Sequence, residues 1–135
     1  MAAGGEGEKR SDPLSPVIDI FAFFAAMRNY SYLDILGNAL ERTTALEALG
    51  NAVRDFRSTC LDASPESRHK LEAEKEVKCP RIDPEELEKA VNAFNSIMIN
   101  RERSGELVVF LREVYVKALS RASRFKVKSQ GGEAG

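Results

Sequence analysis

The eleven residues from Val17 to Met27, Val-Ile-Asp-Ile-Phe-Ala-Phe-Phe-Ala-Ala-Met, constrain this chain more than any other stretch. Apart from Asp19 the run is apolar on every face, and a helix of that kind has to be enclosed by its neighbours. It reads as the central helix of a small bundle. A signal peptide is the competing reading, because Lys9 and Arg10 precede the run and Ala25 and Ala26 close it. Asp19 inside the run and the acidic, proline-containing approach argue against that, and the run is too short to span a bilayer. The expectation is a soluble, cytoplasmic protein with no membrane partner.

The 135 residues leave room for one domain of roughly 110 ordered residues, with no separate catalytic lobe. A hydrophobic fraction of 43% beside 30% charge is ordinary for a soluble globular domain and suggests neither wholesale disorder nor membrane residence. Cys60 and Cys79 are separated by polar sequence, with no CxxC and no companion histidine. That spacing speaks against a zinc site and against a dense secreted disulfide scaffold. The residues read as two free thiols in a reducing interior; the alternative is one disulfide tying the ends of the central loop, as in an intracellular hyperthermophile protein.

Residues 1–14 hold three glycines and little to bury, so a disordered tail is expected there, followed by a single helical domain over 15–128 and a second disordered tail over 129–135. Ser15 and Pro16 supply an N-cap and a first-turn proline for the first helix, which should end near Asn29. Ser31 and Asp34 form a capping pattern ahead of Leu33, Leu36 and Leu40, a short second helix. Thr44 and Glu47 repeat the device before Leu46, Leu49, Val53, Phe56 and Cys60. Gly37 and Gly50 fall inside these two helices, at about 1 kcal/mol each relative to alanine, which close approach of another backbone would explain.

Residues 62–82 change character. This charge-rich excursion has almost nothing apolar except Leu71 and Val77, and its pattern suits a Ser64-capped helical turn, a loop or a hairpin equally. Asp83, Pro84 and Glu86 then make the strongest helix start in the chain, ahead of Leu87, Ala90, Val91, Phe94, Ile97 and Met98. After Gly105, the positions Leu107, Val108, Leu111, Val114, Tyr115, Ala118, Leu119 and Ala122 give a last, long amphipathic helix. The fold class is all-α, a compact bundle of about five helices.

No catalytic constellation, metal cluster or phosphate loop is recognisable, so the chain reads as non-enzymatic, without cofactor, metal or small-molecule substrate. Between Arg101 and Lys128 eight basic residues face three acidic ones. Lys117, Arg121, Arg124 and Lys128 are spaced so that a continuing helix would align them for a phosphate backbone. The plain alternative is a solvated face with cations near the C-terminal dipole. Arg28, beside Tyr30 and Tyr32, has the composition of a base-stacking site, although the two tyrosines suit a hydrophobic staple better. Glu66, Glu72, Glu74 and Glu76 alternate with cations, as on a solvated face. His69 has no partner at ligand spacing; its pairing with a cysteine nucleophile lacks an orienting group.

The run Tyr30-Ser-Tyr-Leu-Asp-Ile-Leu-Gly-Asn-Ala-Leu40, leading into Thr44-Ala-Leu-Glu-Ala-Leu49, resembles the N-terminal part of the small subunit of archaeal type I-A CRISPR surveillance complexes. Chain length, helical halves and the polar central excursion are similar as well. The resemblance implies a non-enzymatic subunit of an RNA-guided, Cascade-like antiviral defense complex that packs against other Cas proteins and touches guide RNA or target DNA. With the basic residues above, that places nucleic-acid contacts at Lys117, Arg121, Arg124, Lys128 and Arg28. The alternative is a protein-binding adaptor or homo-oligomer whose contact surface is the glycine-bearing second and third helices, without nucleic-acid binding.

Overall fold

The computed structural model describes residues 12–127; Lys128 and the greater part of both expected tails lie outside them. Six α-helices follow one another: α1 Ser15–Ala26, α2 Ser31–Gly37, α3 Arg42–Phe56, α4 Pro65–Lys75, α5 Pro84–Ser104 and α6 Leu107–Arg121. A π turn, Arg57–Leu61, extends α3, and a 3₁₀ turn, Ala122–Phe125, extends α6. The only pairing in extended backbone among the described residues is an isolated bridge between Val77 and Lys126. The class is all-α, with α4 the helix that the charged excursion left undecided.

In α1 every residue but Ser15, Pro16 and Asp19 is buried. The helix lies against α2, α3, α5, α6 and the 3₁₀ turn, so its four-sided apolar surface is matched by four-sided enclosure. The Phe23 ring sits 5.4 Å from Phe24 and, edge-on, 6.3 Å from Phe56. Phe24 meets the edge of Tyr32 at 5.1 Å. The Val17–Met27 run thus supplies the centre of the core.

The helix boundaries are set partly by residues other than the expected ones. Helix α1 has Leu14 as its N-cap residue and no side-chain cap; Asp12 forms the turn that leads into it, its Oδ1 accepting the Leu14 N–H and its carbonyl that of Ser15. The Ser15 hydroxyl instead accepts from Arg121. At α2, Asn29 Oδ1 accepts the N–H and hydroxyl of Ser31, and Ser31 is the first helical residue. The third helix starts two residues before Thr44, after an extended Glu41. Only Ser64 caps as its sequence implied, taking the Ser67 N–H at 3.1 Å. The α5 start at Asp83-Pro84 falls where expected, but the Asp83 carboxylate accepts no N–H of the first turn.

Arg28 closes α1. The Asn29 N–H reaches the Phe24 carbonyl and the Arg28 N–H that of Ala25, a Schellman arrangement that needs a left-handed residue between them. Arg28 takes that conformation, with φ 66°, where glycine is usual, at roughly 1 kcal/mol of backbone strain. Gly105 does the same after α5 without that cost, at φ 78°.

Gly37 and Gly50 have different explanations from the expected backbone approach. An added Cβ on Gly37 would stand 2.6 Å from Tyr115 Cδ1 and 2.9 Å from its Cγ, so α2 is glycine there to seat a tyrosine of α6. Gly50 faces open space. Because α2 stops at Gly37, Leu40 falls outside it and is exposed.

The two cysteines are bonded. Cys60 in the π turn and Cys79 beyond α4 form a disulfide with 5.9 Å between Cα atoms, so the free-thiol reading is corrected. The spacing could not reveal this, because α4 folds back and brings residues nineteen apart together.

Candidate functional site

Four of the five expected nucleic-acid residues are described, Lys128 lying outside the described residues, and the four fall in different surroundings. The alignment of Lys117, Arg121, Arg124 and Lys128 required an uninterrupted α-helix, but α6 ends at Arg121 and tightens into the 3₁₀ turn, after which Lys126 is extended. Arg121 is turned inward and only 18% exposed. Its guanidinium holds Asp19 at 3.0 Å, Asp12 at 3.5 Å and the Ser15 hydroxyl at 3.0 Å. It therefore neutralises the one charge on the core helix. Burial raises the Asp19 pKa above its ordinary 3.8, against the opposing hydrogen bond and charge of Arg121 and the charge of Arg124.

Arg28 and Lys126 come together instead. With Lys75, Ser123, Glu74 and Glu76 they line an open concavity of about 660 Å³ between the end of α1, the end of α4 and the 3₁₀ turn. The wall is fixed by backbone: Lys78 N–H donates to the Phe125 carbonyl at 2.9 Å and Val127 N–H to that of Glu76 at 2.8 Å. Three cations and two acids share it, so it is only locally basic. Arg124 is exposed nearer to Asp19, and Lys117 is exposed on α6.

The aromatic stacking reading of residues 28–32 is not borne out at Tyr32. Its ring is packed on Phe24 and its hydroxyl donates to Asp55 Oδ2 at 2.9 Å, which raises the tyrosine pKa above 10.0. Thr59 donates to the other oxygen of Asp55. Tyr30 is exposed. His69 lies in an open concavity of about 680 Å³ with Arg68, Glu72 and both cysteines, and the disulfide leaves neither sulfur as a thiolate nucleophile. Among the described residues no group of three metal-ligating side chains converges, and no helix is long and apolar enough to cross a membrane.

The least ordinary surface is the outside of α6. The helix buries Leu107, Phe110, Leu111, Val114 and Ala118 against the core. At about 100° per residue, Val108, Leu119, Val116 and Val109 fall on a separate arc of roughly 100°. All four are exposed, Val109 at 54% and Val116 at 59%. Arg112 lies within that arc and Glu113 and Lys117 lie beyond its Val109 side; the six residues other than Leu119 form a shallow, mainly apolar surface.

That stripe was not found from sequence because Val108 and Leu119 were assigned to the buried face. The available signal was the seven-residue spacing of Val109 and Val116, apolar positions left over once the core face of α6 is filled. On the glycine-bearing surface expected for a partner, Gly37 is occupied by Tyr115 and the exposed residues around Gly50 are polar, while Ile35 and Leu40 are the exposed apolar residues there. No family model matches the chain, and neither does a curated protein or a solved structure. The function has to be argued from these surfaces.

Proposed function

We propose that this chain is a non-catalytic helical subunit of a larger assembly, and that it docks on a protein partner through the outer face of α6. The observation that carries the reading is the second apolar stripe, Val108, Val109, Val116 and Leu119, on a helix whose first apolar stripe already fills the core. Four aligned apolar side chains differ from the isolated exposed residues that any surface carries. Arg112 supplies a flexible charged group of a type enriched where proteins meet. With the full-length chain as bait in a native extract, at least one protein is expected to be retained that is lost with both Val109→Lys and Val116→Lys. It should be kept with Asn51→Lys on the exposed, polar side of α3. If every captured protein is kept by both valine variants, the docking face is elsewhere.

A second, narrower reading is an RNA-guided CRISPR interference subunit, whose partners would be other Cas proteins together with guide RNA or target DNA. It rests on the likeness of residues 30–49, and Arg28, Lys75 and Lys126 around one concavity favour backbone contact there. Affinity for single-stranded RNA or DNA should fall steeply with added salt, and Arg28→Glu and Lys126→Glu should each weaken it severalfold. Arg121 is a poor probe because its replacement perturbs the core. Salt-independent binding, or none at low ionic strength, would remove nucleic acid from the account.

A further inference from the structure

We propose that the Cys60–Cys79 disulfide is a reducible latch that fastens α4 to the bundle, so that a thiol reductant releases this helix while the core stays folded. Helix α4 buries none of its side chains fully. Its sequence, Pro-Glu-Ser-Arg-His-Lys-Leu-Glu-Ala-Glu-Lys, offers Leu71 as its one large apolar contact. An eleven-residue helix is marginal in water without tertiary packing. What holds α4 is therefore at its two ends: the disulfide from the π turn to Cys79, the Glu72 carboxylate accepting the Cys79 N–H at 2.9 Å, and the bridge at Val77. Helices α1, α3, α5 and α6 pack on one another without its help.

The latch is also reachable. Both cysteines line the open concavity with Arg68, His69 and Glu72, and Cys79 is only half-buried. A thiolate of a dithiol reductant can attack Cys79 Sγ, forming a mixed disulfide as Cys60 leaves as a thiolate and takes a proton from water. The permanent positive charge of Arg68 at this wall favours the leaving thiolate. The reductant's second thiol then displaces Cys79, so two electrons and two protons reach the protein and the reductant ends as a disulfide. Because α4 contributes Glu74 and Lys75 to the concavity holding Arg28 and Lys126, its release also removes part of one wall of that surface.

Hydrogen exchange read by mass spectrometry on the full-length chain, with and without dithiothreitol, tests this. On reduction, amides of residues 66–75 should exchange faster by on the order of tenfold to a hundredfold, as expected on freeing a closed loop of this length, while those of 18–25 are unchanged. The double variant Cys60→Ser/Cys79→Ser should show the same pattern without reductant and no further response to it. Unchanged exchange in α4 after reduction would overturn the proposal. So would loss of protection in α1 together with α4, which would make the bond a staple of the whole fold, or a disulfide that dithiothreitol leaves intact in the folded chain.

Discussion

Phe23→Ala is expected to lower the free energy of unfolding by about 3–5 kcal/mol, read from the midpoint and slope of a urea transition. Phe23 has no exposed surface and sits between the rings of Phe24 and Phe56. It projects from a helix enclosed on all sides, so no neighbour has solvent-facing freedom to swing in and fill the space. The loss therefore includes both the transfer of the ring and most of the cavity left behind. A domain of this size holds about 5–15 kcal/mol in all, so the variant should be near the limit of folding at warm temperatures. Phe23→Leu, which keeps most of the apolar volume, should lose distinctly less. A loss under about 1 kcal/mol for the alanine variant would mean that α1 is not tightly enclosed.

Arg121→Ala should cost about 2–4 kcal/mol at neutral pH, because it leaves the Asp19 carboxylate, 22% exposed, without its cation. The pH dependence carries the sign. Burial already raises the Asp19 pKa above 3.8, so the folded state holds this proton more tightly than the unfolded state. Any stability linked to that proton is complete below 3.8 and is lost as pH rises through the folded value. Removing Arg121 deletes the hydrogen bond and the larger of the two opposing charges, moving the folded value further up. The deficit of the variant should thus be largest at about pH 7 and shrink towards about pH 4, where a protonated Asp19 no longer needs a partner. An equal deficit at both pH values would show that Arg121 acts through packing of its stem alone.

What was legible in the sequence and what was not follow from the range of the forces involved. The all-α class and the enclosed first helix could be read because an apolar surface on every side admits one solution. The start of α5 at Asp83-Pro84 could be read because a first-turn proline acts within one turn, whereas Ser64-Pro65 fitted a helical turn, a loop or a hairpin equally until the packing of α4 decided it. The pairing of Arg121 with Asp19 spans about a hundred residues of sequence, and a basic stripe drawn on an ideal helix has no way to register it. The Cys60–Cys79 bond depended on whether the excursion folds back, and the polar sequence of α4 left that open. On α6, Val108 and Val109 are neighbours in sequence but only the overall packing decides which apolar positions face inward. The candidate docking stripe therefore shows in the sequence only as the seven-residue spacing of Val109 and Val116, and packing is needed to add Val108 and Leu119 to it.

The account assigns folding to the inside of α1 and docking to the outside of α6, and two variants measured side by side test that division. Phe23→Ala should lose several kcal/mol in urea while its folded fraction still captures the partner. Val116→Lys should unfold within about 0.5 kcal/mol of the parent, as surface changes do, and fail to capture it. If Val116→Lys is destabilised as severely as Phe23→Ala, or if it binds as the parent does, then the α6 stripe belongs to the fold or to nothing, and the account is contradicted.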